Sequence, residues 1–232
     1  MQNIIDYVEE KGIFSFAEFP FTDVDSLILS QLAYWKFDGF VPSIDEEDRD
    51  ITFLNLLEHE NVSTLFSSVW DIPSNTALLK ALAGSDRYGE VTLHYYVNDM
   101  DIAAQKQFSA LTFQVGTAFL YLAFRGTDDS FVGWKEDFDM ACETPVPSQL
   151  AGVKYLSDVA QKATGALVTG GHSKGGNIAE YAAVSCPKKT SSRIAAIYNH
   201  DAPGFHRAFY SSPRYMAVKD KIHKTVPQAS LF

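Results

Sequence analysis

The chain has 232 residues, 46% of them hydrophobic and 13% aromatic, enough for one substantial core and too apolar for a disordered segment. Nineteen basic against twenty-nine acidic residues leave a net charge of -10, which argues against a nucleic-acid partner because no basic stripe is available. No stretch approaches the roughly 18 apolar residues of a membrane-spanning helix, and MQNIIDYVEEKG is acidic where a secretory leader is basic; a cytoplasmic location with no integral membrane segment is expected.

Residues 1–90 read as a helical, loop-rich region that caps the rest or forms a lid. Thr22-Asp23 is a helix start, with Leu27, Leu29, Leu32, Ala33 and Trp35 supplying its apolar side. Further helical patterns run through Ile51, Leu54 and Leu57 and through Leu78, Leu79 and Leu82. The aromatic residues Phe14, Phe16, Phe19, Phe21, Tyr34, Trp35 and Phe37 are expected mainly in the core, with an apolar acyl site as the alternative. Asp45–Asp48 reads as a solvated acidic run. A turn cluster, Gly84–Gly89, then closes this region.

Residues 91–232 have a different character. Val91–Asn98, Phe108–Val115 and Thr117–Arg125 are rich in β-branched and aromatic residues, and the last two are joined at Gly116 as a hairpin would be. A helix is expected around Gln149–Thr164. Ala166–Gly170 and Arg193–Asn199 are short apolar strands, separated by a helix over Ser173–Cys186. This alternation predicts a single α/β domain over 1–232: a mostly parallel sheet with helices on both faces. Cys142 and Cys186 lack metal-ligand spacing and are expected to behave as small hydrophobes.

Gly171-His172-Ser173-Lys174-Gly175 fits G-x-S-x-G between the buried strand and the small-residue helix. A serine on so sharp a turn occupies strained backbone, and the positions two before and two after it must lack bulk. Gly171 and Gly175 meet that demand. The helix starting there directs its N–H groups toward the serine oxygen, which favours a developing oxyanion. Ser173 is thus the candidate nucleophile, and the backbone N–H of Lys174 an oxyanion donor, with the Lys174 side chain expected in solvent. His172 is expected to be packed and hydrogen-bonded elsewhere.

AFRGTDDSFVGWKEDFDM followed by GGHSKGGNIAEYAA resembles the class 3 lipase pattern of F-R-G-T/S, W-x-x-D and G-H-S-x-G-G. The GHSKGGN variant is similar to a bacterial branch of lipase-like α/β hydrolases. The resemblance implies the α/β-hydrolase fold and activity on carboxylic esters, lipids or other acyl compounds; with no phosphate-cradling loop and no converging His/Asp/Glu cluster in the sequence, no metal or nucleotide cofactor is expected. It implies Thr127 as the second oxyanion residue, and Trp134 and Asp137 as loop anchors without chemistry.

A serine hydrolase of this fold also needs an acid and a histidine later in the chain. Asp201, directly after the strand Arg193–Asn199, is the favoured acid and Asp220 the alternative; the family's Asp before Val-Pro is replaced by Lys224. His223 or His206 is the base in a compact chain. No last strand follows Lys221–Val226, so the expectation is that this strand and the true base lie beyond residue 232. Two further readings stay open: a catalytically silent module binding an acyl ligand or a partner, and an acyltransferase.

Overall fold

The computed structural model describes residues 3–128, 130–140 and 144–227. One seven-stranded sheet organises them, in the order β1 (Ile51–Thr52), β2 (Thr92–Asp101), β3 (Lys106–Val115), β4 (Phe119–Phe124), β5 (Ala166–His172), β6 (Ile194–His200) and β7 (Ile222–Thr225). Pairing is antiparallel from β1 to β4 and parallel from β4 to β7. The hairpin expected at Gly116 is β3–β4: Val115 pairs with Phe119, and Gly116 takes φ +51° at the turn. The parallel half is the part built from alternating helix and strand, as right-handed crossovers require.

Each face of the sheet has its own apolar core. On one, the helices α1 (Ile4–Lys11), α2 (Asp23–Leu32), α3 (Phe53–Glu58) and α4 (Ile72–Ala83) pack Val8, Ile28, Leu56 and Leu79 against Phe113, Tyr121 and Tyr198. The one-turn helix α5 (Asp86–Gly89) completes that layer. On the other, beyond α6 (Phe131–Met140), lie α7 (Pro147–Lys162) and α8 (Lys174–Ser185). These two bring Tyr155, Leu156, Ile178 and Ala182 onto Leu122, Phe124 and Ile197. No helix among the described residues is long and apolar enough to cross a membrane.

Thr22 caps α2 as its sequence predicts: its hydroxyl accepts from Asp25 N, and the Asp25 carboxylate accepts from Thr22 N at 2.8 Å. Leu29, Leu32, Ala33 and Trp35 are buried as that pattern expects, while Leu27 is half-buried and Ile28 is fully buried in its stead. The pattern at Ile51 splits into the short edge strand β1 and α3, where Phe53 and Leu56 are buried and Leu54 is exposed. Trp35 and Phe37 are fully buried in core, while Phe14 stays 40% exposed. Within the acidic run, Asp48 accepts or shares a hydrogen bond with His94 Nδ1 at 2.8 Å. Cys186 is buried, its Sγ on the Ala183 carbonyl at 3.3 Å, and burial pushes its thiol up to about 11; Cys142 lies outside the described residues.

Candidate active site

The parallel register brings three segments to one edge. Phe124 pairs with Gly171, His172 with His200, and His200 with Thr225. Immediately past that line the chain leaves the sheet at Arg125–Asp128 after β4, at Ser173 after β5 and at Asp201 after β6. Thr127, Ser173 and Asp201 therefore emerge at the carboxyl end of the sheet, where α/β sites form.

Ser173 has φ +55° and ψ -131°, a conformation that side-chain-bearing residues occupy only when their surroundings impose it. The surroundings are glycines. A Cβ on Gly175 would overlap the Phe124 carbonyl, one on Gly171 would overlap Gly175, and one on Gly176 would come within 2.7 Å of the Gly171 carbonyl oxygen. Ser173 N donates to the His200 carbonyl at 2.9 Å, which pins the turn to β6. The Ser173 carbonyl accepts from Gly176 N and Asn177 N at 2.9 and 3.3 Å. The N–H groups of Lys174 and Gly175 precede those bonds and have no acceptor inside the helix, as first-turn groups never do. The Ser173 side chain does not cap α8 and is half-buried.

Gly126 of the F-R-G-T segment lies against the elbow: a Cβ there would meet the His172 carbonyl oxygen at 2.8 Å and the Tyr34 ring at 2.9 Å. The glycine lets Tyr34 reach His172, whose Nδ1 shares a 3.0 Å hydrogen bond with the phenol. Burial holds the His172 imidazole below its ordinary pKa, and the nearby Asp201 charge opposes that shift. Thr127 follows Gly126. Its hydroxyl donates to Asp137 of α6, so the residue expected as a loop anchor does hold Thr127, while Trp134 is 66% exposed. Asp137 is pushed above the ordinary carboxylate range by burial, against the Thr127 bond. A cavity of ≈ 310 Å³ opens here, lined among others by Tyr34, Val69, Trp70, Thr127, Asp128 and His172.

The Lys174 side chain departs from expectation. It is 1% exposed, and its ammonium donates to Glu136 Oε2 at 3.1 Å and to the Gln107 carbonyl and Oε1 at 3.1 and 2.6 Å. The first residue of α8 faces the body of the protein, where α6 and β3 supply acceptors. Burial pulls this ammonium below its usual range, and the Glu136 and Asp137 charges resist. A lysine between Ser173 and Gly175 carries no local pattern that would reveal this, and Glu136 lies 38 residues away in the chain. Asn177 was also missed: it accepts from Gln149 Nε2 at 2.8 Å and donates to the Pro203 carbonyl at 3.0 Å, tying the segment after Asp201 to α8.

Asp201 takes φ +50° and donates its N–H to the Thr225 carbonyl at 2.7 Å. Asp220 precedes β7, whose first residue Ile222 pairs with Ile197, so this alternative acid sits at the amino end of the sheet, away from Ser173. The histidines are dispersed. His223 pairs with Tyr198 in register, stacks on its ring at 4.7 Å and faces Asp23 at 3.6 Å; it is two residues short of the carboxyl edge and is not brought to Ser173. His206 is exposed at the start of a one-turn helix. His200 is buried with both ring nitrogens engaged, by Ser26 Oγ at 2.8 Å and Thr225 Oγ1 at 2.7 Å. His94 bonds Asp48 and Thr92, and the His59 ring packs tilted against Phe40. Among the described residues none of the six is hydrogen-bonded to the Ser173 hydroxyl, and no group of three or more His, Cys, Asp or Glu could hold a metal ion.

A strained serine between a buried parallel strand and a glycine-packed helix, on a sheet covered by helices on both faces, is the architecture of an α/β hydrolase. Residues 82–232 match the Mbeg1-like family, and the chain belongs to it. No curated protein matches the sequence. Similar solved structures include M37 lipase, at 12% identity and TM-score 0.47, covering 89% of this chain and 67% of that one. A fungal lipase–inhibitor complex described as a model for interfacial activation is similar at 15% identity and TM-score 0.47, covering 66% of this chain and 62% of that one. For the lipase from Rhizopus microsporus var. chinensis the figures are 16% identity, TM-score 0.42, 67% of this chain and 58% of that one. The chain thus spans less than two thirds of the length of the latter two.

Proposed function

We propose that this protein is a serine hydrolase of carboxylic esters or related acyl compounds, with Ser173 as the nucleophile. The observation that carries the reading is the Ser173 backbone, held at φ +55° by glycines that admit no Cβ. Strain of this kind persists only where the surroundings over-determine it, and it clusters at reactive positions. The Ser173 hydroxyl would add to the substrate carbonyl as its proton passes to a general base. The alcohol would leave with a proton, and water would then release the acid and restore the hydroxyl. The N–H groups of Lys174 and Thr127 are the oxyanion donors in this reading, and Asp201 is the acid at the correct edge. The cavity beside Thr127 and His172 has the size for a small acyl or alcohol group.

The dispersed histidines favour a second reading, a module that binds an acyl ligand without turning it over, because a general base works only within hydrogen-bond reach. Fluorophosphonate labelling separates the two. The hydrolase reading expects covalent labelling of Ser173, lost in Ser173→Ala along with roughly three or more orders of magnitude of p-nitrophenyl ester hydrolysis. Wild-type protein that binds a fatty acid but never becomes labelled would favour the module.

A further inference from the structure

Lys174 has two ends that do different things. Its backbone N–H stands first in α8, next to Ser173, free of any intrahelical acceptor. Its side chain runs the other way, into the protein, where all three ammonium protons find acceptors: Glu136 Oε2, the Gln107 carbonyl and Gln107 Oε1. Lys174 and Glu136 are each 1% exposed. An apolar side chain would fill such a place without the cost of desolvating two charges, so the pair is not explained by stability alone.

Glu136 does more than neutralise the lysine. Its Oε2 also accepts from Gln107 N at 3.1 Å, and its Oε1 accepts from Ser148 N at 2.8 Å. One carboxylate therefore joins β3, α6, the first turn of α7 and the residue after the nucleophile. Fixed backbone donors matter here because an oxyanion donor acts over about 3 Å and loses effect steeply when displaced by about 1 Å.

We infer that Glu136 is a positioning residue for acyl transfer: through the Lys174 ammonium it fixes the Lys174 backbone N–H at the place where the acyl oxygen becomes charged. The inference rests on Ser173 being the nucleophile. It goes beyond the bond from Thr127 to Asp137, which anchors the other donor through a different carboxylate of the same helix.

The test uses Lys174→Met/Glu136→Gln, which removes both charges together so that neither remains buried alone. Thermal melting shows whether the variant folds, and mass spectrometry of fluorophosphonate-treated protein counts competent Ser173 sites. The expected result is a kcat per labelled site roughly 10- to 100-fold below wild type on p-nitrophenyl butyrate, with KM within about twofold, because the lost interaction belongs to the transition state. A packing role would lower the melting temperature and the number of sites and leave kcat per site at the wild-type value; that result overturns the inference. Should the paired variant not fold, Glu136→Asp keeps the charge and withdraws it by one methylene. Reduced kcat per site then supports the inference, and wild-type kcat overturns it. Wild-type protein whose Ser173 is never labelled refutes the nucleophile reading itself, a failure visible before any variant is compared.

Discussion

Two buried ion pairs stand on opposite faces of the sheet and are completed to different degrees. In the N-terminal layer, Asp25 and Arg87 are joined by two parallel bonds of 2.8 and 2.7 Å. Asp25 also accepts from Tyr88 at 2.6 Å and from Thr22 N at 2.8 Å. The remaining guanidinium protons reach the Phe19 and Pro20 carbonyls, and the group lies 4.0 Å from the centre of the Phe16 ring. Beside Ser173, the Lys174–Glu136 pair has a single bond of 3.1 Å, and Gln107 Nε2 and Ser148 Oγ next to it are buried without a partner among the described residues. The first arrangement is what a buried pair requires to hold a fold together. The second tolerates unmet polar atoms, which proteins generally do where geometry serves something other than stability.

That contrast can be broken by separating stability from chemistry. Arg87→Met leaves the Asp25 charge buried without its cation, and unfolding in urea should show a loss of about 3–5 kcal/mol. Fluorophosphonate labelling per folded molecule should stay at the wild-type level. A variant that folds normally but no longer labels would place the N-terminal layer in the chemistry and end the comparison.

His200 links the two regions, its ring on Ser26 of α2 and its carbonyl on Ser173 N. Burial lowers its pKa from 6.5 to about 4. Between those values the unfolded chain takes up a proton that the folded chain refuses. The stability from neutral His200 is therefore complete above pH 6.5 and declines as pH falls to about 4, by roughly 3 kcal/mol in total. Urea unfolding of wild type and His200→Asn at pH 7 and pH 4.5 measures this: the wild type should lose more than the variant across that interval. Equal losses would mean that His200 already carries its proton in the fold.

The smallest effect sharpens the contrast at Ser173 itself. Glycine adopts positive φ without the strain that serine bears, so Ser173→Gly should raise stability by about 1 kcal/mol while abolishing labelling. Calorimetry showing a lower melting temperature for this variant would contradict the strain assigned to the turn.

Much of the site was legible because its constraints are local. Gly171, Ser173 and Gly175 are specified by a turn that admits no other spacing, and the strand and helix around them follow from short apolar and small-residue runs. Thr127 was found through resemblance, and the register of β4 on β5 carries it to the edge where Ser173 emerges. The roles of Lys174 and the histidines were not legible, because each depends on a partner far away in the chain. Lys174 meets Glu136, 38 residues distant, and His200 meets Ser26, 174 residues distant. His223 illustrates the same limit: chain order allowed it as a base, but a two-residue difference in strand register directs it to Tyr198 and Asp23.

The amino-acid sequence by itself determined the α/β alternation, the capped start of α2, the hairpin at Gly116 and the glycine-flanked serine turn. Each of these follows from periodicity, capping or the steric needs of a few adjacent residues. Tertiary structure alone decided which of two carboxylates stands at the sheet edge where Ser173 emerges, where each histidine points, and that the Lys174 side chain is buried on Glu136. Those outcomes arise from strand register and from the desolvation of charged groups brought together across the fold, quantities that no local stretch of the chain contains.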